Sequence, residues 1–232
     1  MWNDKKKAIT FSFDDGVTQD IRLIEILNKY GLKGTFNLNS ARLGMPGDDW
    51  VTEHKTVVRR MVDASQVCAI YAGHEIAVHT LTHPNLTTLD DAEVIRQVDE
   101  DRQALEKLCG YPVVGMAYPC GGVNNDERVA GLIAENTPIR YARTITSTLS
   151  YELQKGSLLR FHPTLHFLNP QTDEVVDKFL AMETEKPQLL YIWGHSYELD
   201  LDEARWTKFE ALCKKLSGRE DIFYGTNKET LL

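Results

Sequence analysis

Two adjacent carboxylates, Asp14 and Asp15, precede Gly16, and further along the chain two histidines, His79 and His83, stand four residues apart. A catalytic divalent metal commonly takes three protein ligands drawn from histidine and carboxylate and leaves room for a water, whose pKa it lowers until hydroxide is available near neutral pH. Asp15, His79 and His83 supply one such set. Neighbouring residues at a strand end point in different directions, which frees Asp14 to stand beside the water and take its proton as general base. The leaving group needs an acid on the opposite side; His195, with an ordinary histidine pKa near ~6.5, is the first candidate, and His162 and His166 are alternatives. An Asp-Asp-Gly by itself is most often a turn and a lone histidine pair is most often incidental. Both at strand ends in one chain point to a metal centre. Its ligands suit zinc first, with cobalt, nickel and manganese also fitting.

Those residues need elements that hold them. Residues 8–13 are apolar and β-prone and run into the polar Asp14-Asp15-Gly16 turn. A helix follows, with Ile21, Leu23, Ile24, Ile26 and Leu27 at near-helical spacing and Gly31 as its stop, then a strand over 34–38. Residues 40–50 read as a loop and 54–69 as a helix; 75–78 read as a strand entering His79 to Pro84, where the proline disfavours helical geometry at His83. The pattern continues with a helix over 89–108 capped by Thr88, a strand over 112–117, a helix over 126–135, extended segments over 139–144 and 157–161, a helix over 172–182, strands over 189–193 and 222–224, and a helix over 202–216 between those two. Strands alternating with helices throughout favour a parallel sheet covered by helices, and seven or eight strands favour a barrel over an open sheet. No repeat or linker divides residues 1–232, so one domain is expected. In such folds the site is built at the C-terminal ends of the strands, where Asp14-Asp15, His79 with His83, Tyr118-Pro119-Cys120-Gly121 and Gly194-His195-Ser196 all fall.

Composition narrows the function. The 232 residues carry a formal charge of -8 and no basic stripe, which argues against a nucleic-acid partner and makes an anionic polymer a poor substrate. No apolar run approaches the ~20 residues of a membrane-spanning helix, and the apolar stretch after Lys5-Lys6-Lys7 ends too early for an export signal. A soluble, cytoplasmic chain is expected. Cys68, Cys109, Cys120 and Cys213 are scattered without the CxxC spacing of a thiolate zinc site, and free thiols are expected.

Four segments, Thr10-Phe11-Ser12-Phe13-Asp14-Asp15-Gly16, Gly73 to Pro84, Tyr118-Pro119-Cys120-Gly121 and Trp193-Gly194-His195, together resemble the polysaccharide deacetylases with the NodB homology domain, carbohydrate esterase family 4. The resemblance spans nearly the whole chain. It implies a distorted (β/α) barrel and metal-assisted removal of acetyl groups from N- or O-acetylated sugars. It places the base on Asp14, the metal on Asp15, His79 and His83, and the acid on His195. One motif departs: where the family carries an arginine two residues before the proline, this chain has Ala117. Arg143, at the end of another strand, is the candidate to supply that charge. Tyr118, Pro119, Gly121, Arg143 and Trp193 form the expected substrate-binding set, and a backbone N–H near Tyr118 the expected oxyanion donor. A divergent subgroup is implied, and with it a substrate that need not be a long polysaccharide. Hydrolysis of a non-sugar amide, or carbohydrate binding without turnover, are the alternatives.

Overall fold

The strand Lys7–Asp14 (β1) is buried along its entire length, as a strand covered on both faces must be. Its two faces do different work. Ile9, Phe11 and Phe13 enter the main core beside Leu23, Leu27 and Phe209, whereas Thr10, Ser12 and Asp14 on the opposite face meet Asn227, Asn37 and Arg143. The alternation is the period of two that a pleated strand imposes.

A computed structural model describes residues 2–53 and 55–232. Around β1 run Gly34–Leu38 (β2), Glu75–Val78 (β5), Gly115–Ala117 (β6), Tyr141–Arg143 (β7), Leu165–His166 (β8), Gln188–Gly194 (β9) and Ile222–Tyr224 (β10). All are parallel, in the order β7-β6-β5-β2-β1-β9-β8, and β10 pairs with the first residues of β1 at the end where β2 is absent. The sheet curls until residues 161–166 reach both edges: Phe161 bridges Arg143 in β7, and Leu165 and His166 pair with Ile192 and Trp193 in β9. The result is the expected single-domain distorted barrel, its seam held by irregular backbone. The short helix Asn227–Leu231 (α7) fills the end remote from Asp14, with Asn227 bonded to Thr10, Thr35 and Tyr191. Helices Asp20–Lys29 (α1), Asp91–Cys109 (α3), Glu127–Asn136 (α4), Thr172–Ala181 (α5) and Glu203–Leu216 (α6) cover the outside.

Three expectations are corrected. The helix over 54–69 does not form; Trp50–Val51 (β3) and Thr56–Val57 (β4) make an antiparallel hairpin, and only Val67–Ile70 (α2) is α-helical, while His54 lies outside the described residues. The Thr56-Val57-Val58 run is β-branched and resists helix, and the backbone instead ties to the first strand's loop through Thr18 N–H to Arg60 O and Val62 N–H to Gly16 O. Residues 157–161 are not a strand: Leu158–Arg160 is a 3-10 turn, and Phe161 alone joins the sheet. The cap of α3 is Asp90, whose carboxylate accepts from Glu93 N–H, because Thr88 ends a separate 3-10 turn. Among the described residues no helix is long and apolar enough to cross a membrane.

Candidate active site

At the C-terminal mouth of the barrel a cavity of about 300 Å³ is lined by Asp14, Asp15, Arg59, His79, His83, Tyr118, Cys120, Gly121, Ile145, Trp193, His195 and Tyr197. A second groove, between α5 and α6 and walled mainly by Phe167, Leu168, Leu199, Phe209 and Leu212, contains none of these groups. The turn that delivers the carboxylates is backbone-driven. Asp15 and Gly16 both take positive φ (82° and 67°), and a Cβ at position 16 would lie 2.8 Å from Leu38 Cδ2, so glycine is required there.

Asp15, His79 and His83 converge. His79 Nε2 stands 3.6 Å and His83 Nε2 3.3 Å from Asp15 Oδ1, yet that buried oxygen finds no well-aligned hydrogen-bond donor. His79 Nδ1 lies 2.9 Å from Ala117 O, which makes Nδ1 the protonated nitrogen and leaves the Nε2 lone pair facing Asp15. Burial holds His79 down to about 4, hence neutral at physiological pH. A buried acceptor without a donor, facing two imidazole nitrogens, is the donor set a divalent ion takes, so these residues fit a metal. Asp101, buried in α3, accepts from His79 N–H at 3.1 Å and from Ser40 N–H at 2.6 Å, fixing the backbone that carries this ligand.

Asp14 is held differently. Arg143 Nη2 reaches both of its oxygens at 2.5 Å, and Asn37 Nδ2 donates to Oδ1 at 2.8 Å. Burial pushes the Asp14 carboxyl up, but Arg143, His79 and His195 outweigh it and hold it below its ordinary 3.8. Arg143 is itself fully buried, its guanidinium 4.4 Å from the Trp193 ring centroid. The guanidinium beside Asp14 thus comes from β7, where Arg143 is the direct register partner of Ala117 in β6.

His195 Nε2 lies 3.9 Å from Asp14 Oδ2. Behind it Glu198 Oε2 sits 3.3 Å from His195 Nδ1, 3.0 Å from His166 Nε2 and 3.0 Å from the His195 backbone N–H. Burial presses the His195 imidazolium down, but Glu198, Asp15 and Asp14 prevail and raise it to about 9. Burial alone would raise Glu198; contact with His166 and His195 holds it well below the carboxylate range. The arrangement thus pairs a carboxylate kept ionised with an imidazole kept protonated on either side of one cavity, the division of labour that acid–base chemistry needs.

The remaining sequence candidates divide. Of the expected substrate-binding set, Trp193, Tyr118 and Gly121 line the cavity, but Pro119 does not, and Arg143, fully buried against Asp14, is corrected as a substrate contact. The Tyr118 hydroxyl donates to Leu159 O and its backbone N–H is spent on Arg143 O in the sheet, so an oxyanion donor near Tyr118 is not the N–H of Tyr118 itself. His162 lines a separate cavity and bonds Thr144 Oγ1, and His166 shares Glu198 with His195 and packs beside its ring without lining the cavity. Asn37, Arg59 and the Glu198 contact escaped the sequence reading. Asn37 carried a signal, a polar side chain near the C-terminal end of a buried strand; Arg59 carried none, because its place depends on the segment after the hairpin. All four cysteines are free, with Cys120 Sγ 3.9 Å from His83 Nδ1.

Comparison with known proteins agrees with this geometry. Residues 2–141 match the family Polysaccharide deacetylase. The chain is 24% identical over 183 residues to the peptidoglycan-N-acetylmuramic acid deacetylase PdaC of Bacillus subtilis, covering 75% of this chain and 36% of that one. It is 34% identical over 120 residues to a chitin deacetylase of Pestalotiopsis, covering 50% and 35%. The chain thus spans about a third of the length of these curated relatives. In fold it resembles a family 4 carbohydrate esterase from Streptomyces lividans solved with acetate (TM-score 0.57, 17% identity, 95% and 93% coverage) and a family 4 pseudoenzyme from Bacillus anthracis (TM-score 0.54, 17% identity, 99% and 66% coverage). With its motifs at one barrel mouth and more than half its length matched, the chain belongs to the polysaccharide deacetylase family.

Proposed function

We propose that the chain is a metal-dependent hydrolase that removes acetyl groups from N- or O-acetylated sugars. The observation that carries this reading is the contact of Arg143 with Asp14 beside the Asp15, His79 and His83 set: the charge lost at Ala117 is restored from β7, so the departure from the family pattern moves a part without removing it. Asp15, His79 and His83 would hold a divalent ion, zinc first, which lowers the pKa of a water and polarises the acyl oxygen.

The chain's own residues do the rest. Asp14, kept ionised by Arg143 and oriented by Asn37, accepts the water proton as its oxygen attacks the acyl carbon. His195, kept protonated by Glu198, gives a proton to the departing sugar nitrogen or oxygen as the bond to carbon breaks, releasing acetate. Trp193 walls the cavity while stacking on Arg143, and Gly121 leaves open the side next to Cys120. The free thiols suit a reducing compartment, and a cytoplasmic location goes with the proposal.

The test is acetate release from a short N-acetylglucosamine oligomer and an acetylated xylo-oligomer, after stripping metal and restoring zinc or cobalt. Wild type should release acetate only with metal, and Asp14→Asn should lose at least about a hundredfold, the scale of a general base. Tight sugar binding with no acetate from any metal form would move the chain to the carbohydrate-binding class.

A further inference from the structure

Arg59 is the one guanidinium that the 40–60 segment carries into the cleft. Its neighbours are committed elsewhere: Arg42 pairs with Asp48 at 3.3 Å and Arg60 with Asp49 at 2.9 Å. Among the described residues Arg59 has no carboxylate at hydrogen-bonding distance, its nearest being Asp15 Oδ2 at 4.0 Å. The side chain is nonetheless fixed. Nε donates to Asp48 O at 2.6 Å, and the guanidinium lies 4.8 Å from the Tyr197 ring centroid, while Trp50 packs in a T-shaped contact with that ring at 5.8 Å. Anchored through Nε and stacked on an aromatic face, the group has its two Nη nitrogens left to present to the cavity that Asp15, His83 and Tyr197 also line. Only 19% of the side chain is exposed. A partly desolvated, pre-oriented guanidinium fork matches the geometry of a carboxylate and loses little entropy on meeting one.

We infer that this cleft selects acetylated sugars that themselves carry a carboxylate, such as a uronic acid, with Arg59 as the group that binds it. The inference rests on the deacetylase reading for the position of the acyl group and adds the substrate's charge. It also revises the expectation drawn from the -8 net charge: total charge governs long-range attraction, whereas recognition inside a cleft is set by the groups within a few ångströms. The competing role for Arg59, simple compensation of Asp15, is distinguishable. A compensating arginine would affect charged and neutral sugars alike; a recognition arginine affects their ratio.

The experiment measures, by calorimetric titration of the zinc-loaded protein, the affinities of methyl glucuronide and methyl glucoside for wild type, Arg59→Gln and Arg59→Lys. Wild type should favour the acid by about tenfold or more, the scale of a charge-assisted pair. Arg59→Gln should bring the ratio to within about threefold of unity, with Arg59→Lys between. Carboxylate binding to the zinc itself would survive in Arg59→Gln, so an unchanged ratio in that variant, or no preference in wild type, overturns the inference. Acetate release from acetylated forms of the same two sugars is followed in parallel. Its absence for both would count against the deacetylase reading, while the affinity ratio still decides the role of Arg59.

Discussion

At the scale of single residues, the site sets two protonation states against their intrinsic tendencies, and each has a named cause that can be removed. Asp14 stays ionised in a fully buried setting because Arg143 is there. Arg143→Ala should therefore raise the Asp14 pKa and move the acidic limb of the kcat/KM profile to higher pH, with Arg143→Lys recovering part of the shift. An acidic limb that stays in place while only the maximal rate falls would mean that Arg143 shapes the pocket without tuning the base. His195 is held up to about 9 against burial, chiefly by Glu198. An acid works while protonated, so activity should fall on the alkaline side as His195 gives up its proton, and Glu198→Gln should move that basic limb to lower pH. His166→Ala should act in the opposite sense and more weakly, because it leaves all of the Glu198 charge to His195. Equal basic limbs in wild type and Glu198→Gln would remove Glu198 from this role.

At the scale of elements, the parts legible in the sequence were those written in local pattern. The apolar run of β1 and its Asp-Asp-Gly turn, the strand before His79 and the run before His195 all lie where their composition placed them. What failed was set by distant neighbours. The segment after the β3–β4 hairpin is held because residues 60–62 pair with the loop after β1, and the seam at Phe161 exists because the sheet curls far enough to meet it, so neither has a local signature. Arg143 was legible as a charge at a strand end, but its contact with Asp14 needed the register of β6 on β7. That register depends on close packing at Gly115, where a Cβ would fall 2.0 Å from the Tyr141 ring. Gly115→Ala should cost about 1–3 kcal/mol or more through overpacking, and by displacing Tyr141 should disturb Arg143 two residues on. Gly131 is the contrast: it lies inside α4 with nothing within 4 Å of its would-be Cβ, and Gly131→Ala should stabilise by about 0.5–1 kcal/mol through helix propensity. Denaturant melts of both variants compare the two costs, and a Gly115→Ala no less stable than wild type would show that the β6–β7 contact is not tight.

At the scale of the whole molecule, the barrel mouth is stitched to the helical shell by buried carboxyls, and this gives the fold a pH dependence separate from that of catalysis. Asp20, at the start of α1, accepts from Ser196 Oγ at 2.5 Å and Tyr71 Oη at 2.7 Å, tying α1 both to the residue after His195 and to the segment before β5. Burial raises its pKa to about 7 despite those two donors, with Asp15 and Asp14 adding to the rise. The folded pKa thus lies above the ordinary 3.8, so the native state keeps a proton that the unfolded chain gives up. The resulting stabilisation is complete below about pH 4, declines as pH rises, and is gone above about 7, at up to roughly 1.4 kcal/mol per pH unit inside that window. His79 and His74, held down to about 4 by burial, run the other way over part of the same range, so the slope of wild type alone is a sum. The difference between wild type and Asp20→Asn isolates the one group, since both hydroxyl partners can reorient towards an amide oxygen. Unfolding free energies of the two proteins, measured in urea with metal chelated from pH 5 to 8, should show wild type losing stability relative to the variant as pH rises. A pH-independent difference would mean that Asp20 is ionised in the folded state, and that the link between α1 and the His195 loop is a charged one carried by Ser196 and Tyr71 alone.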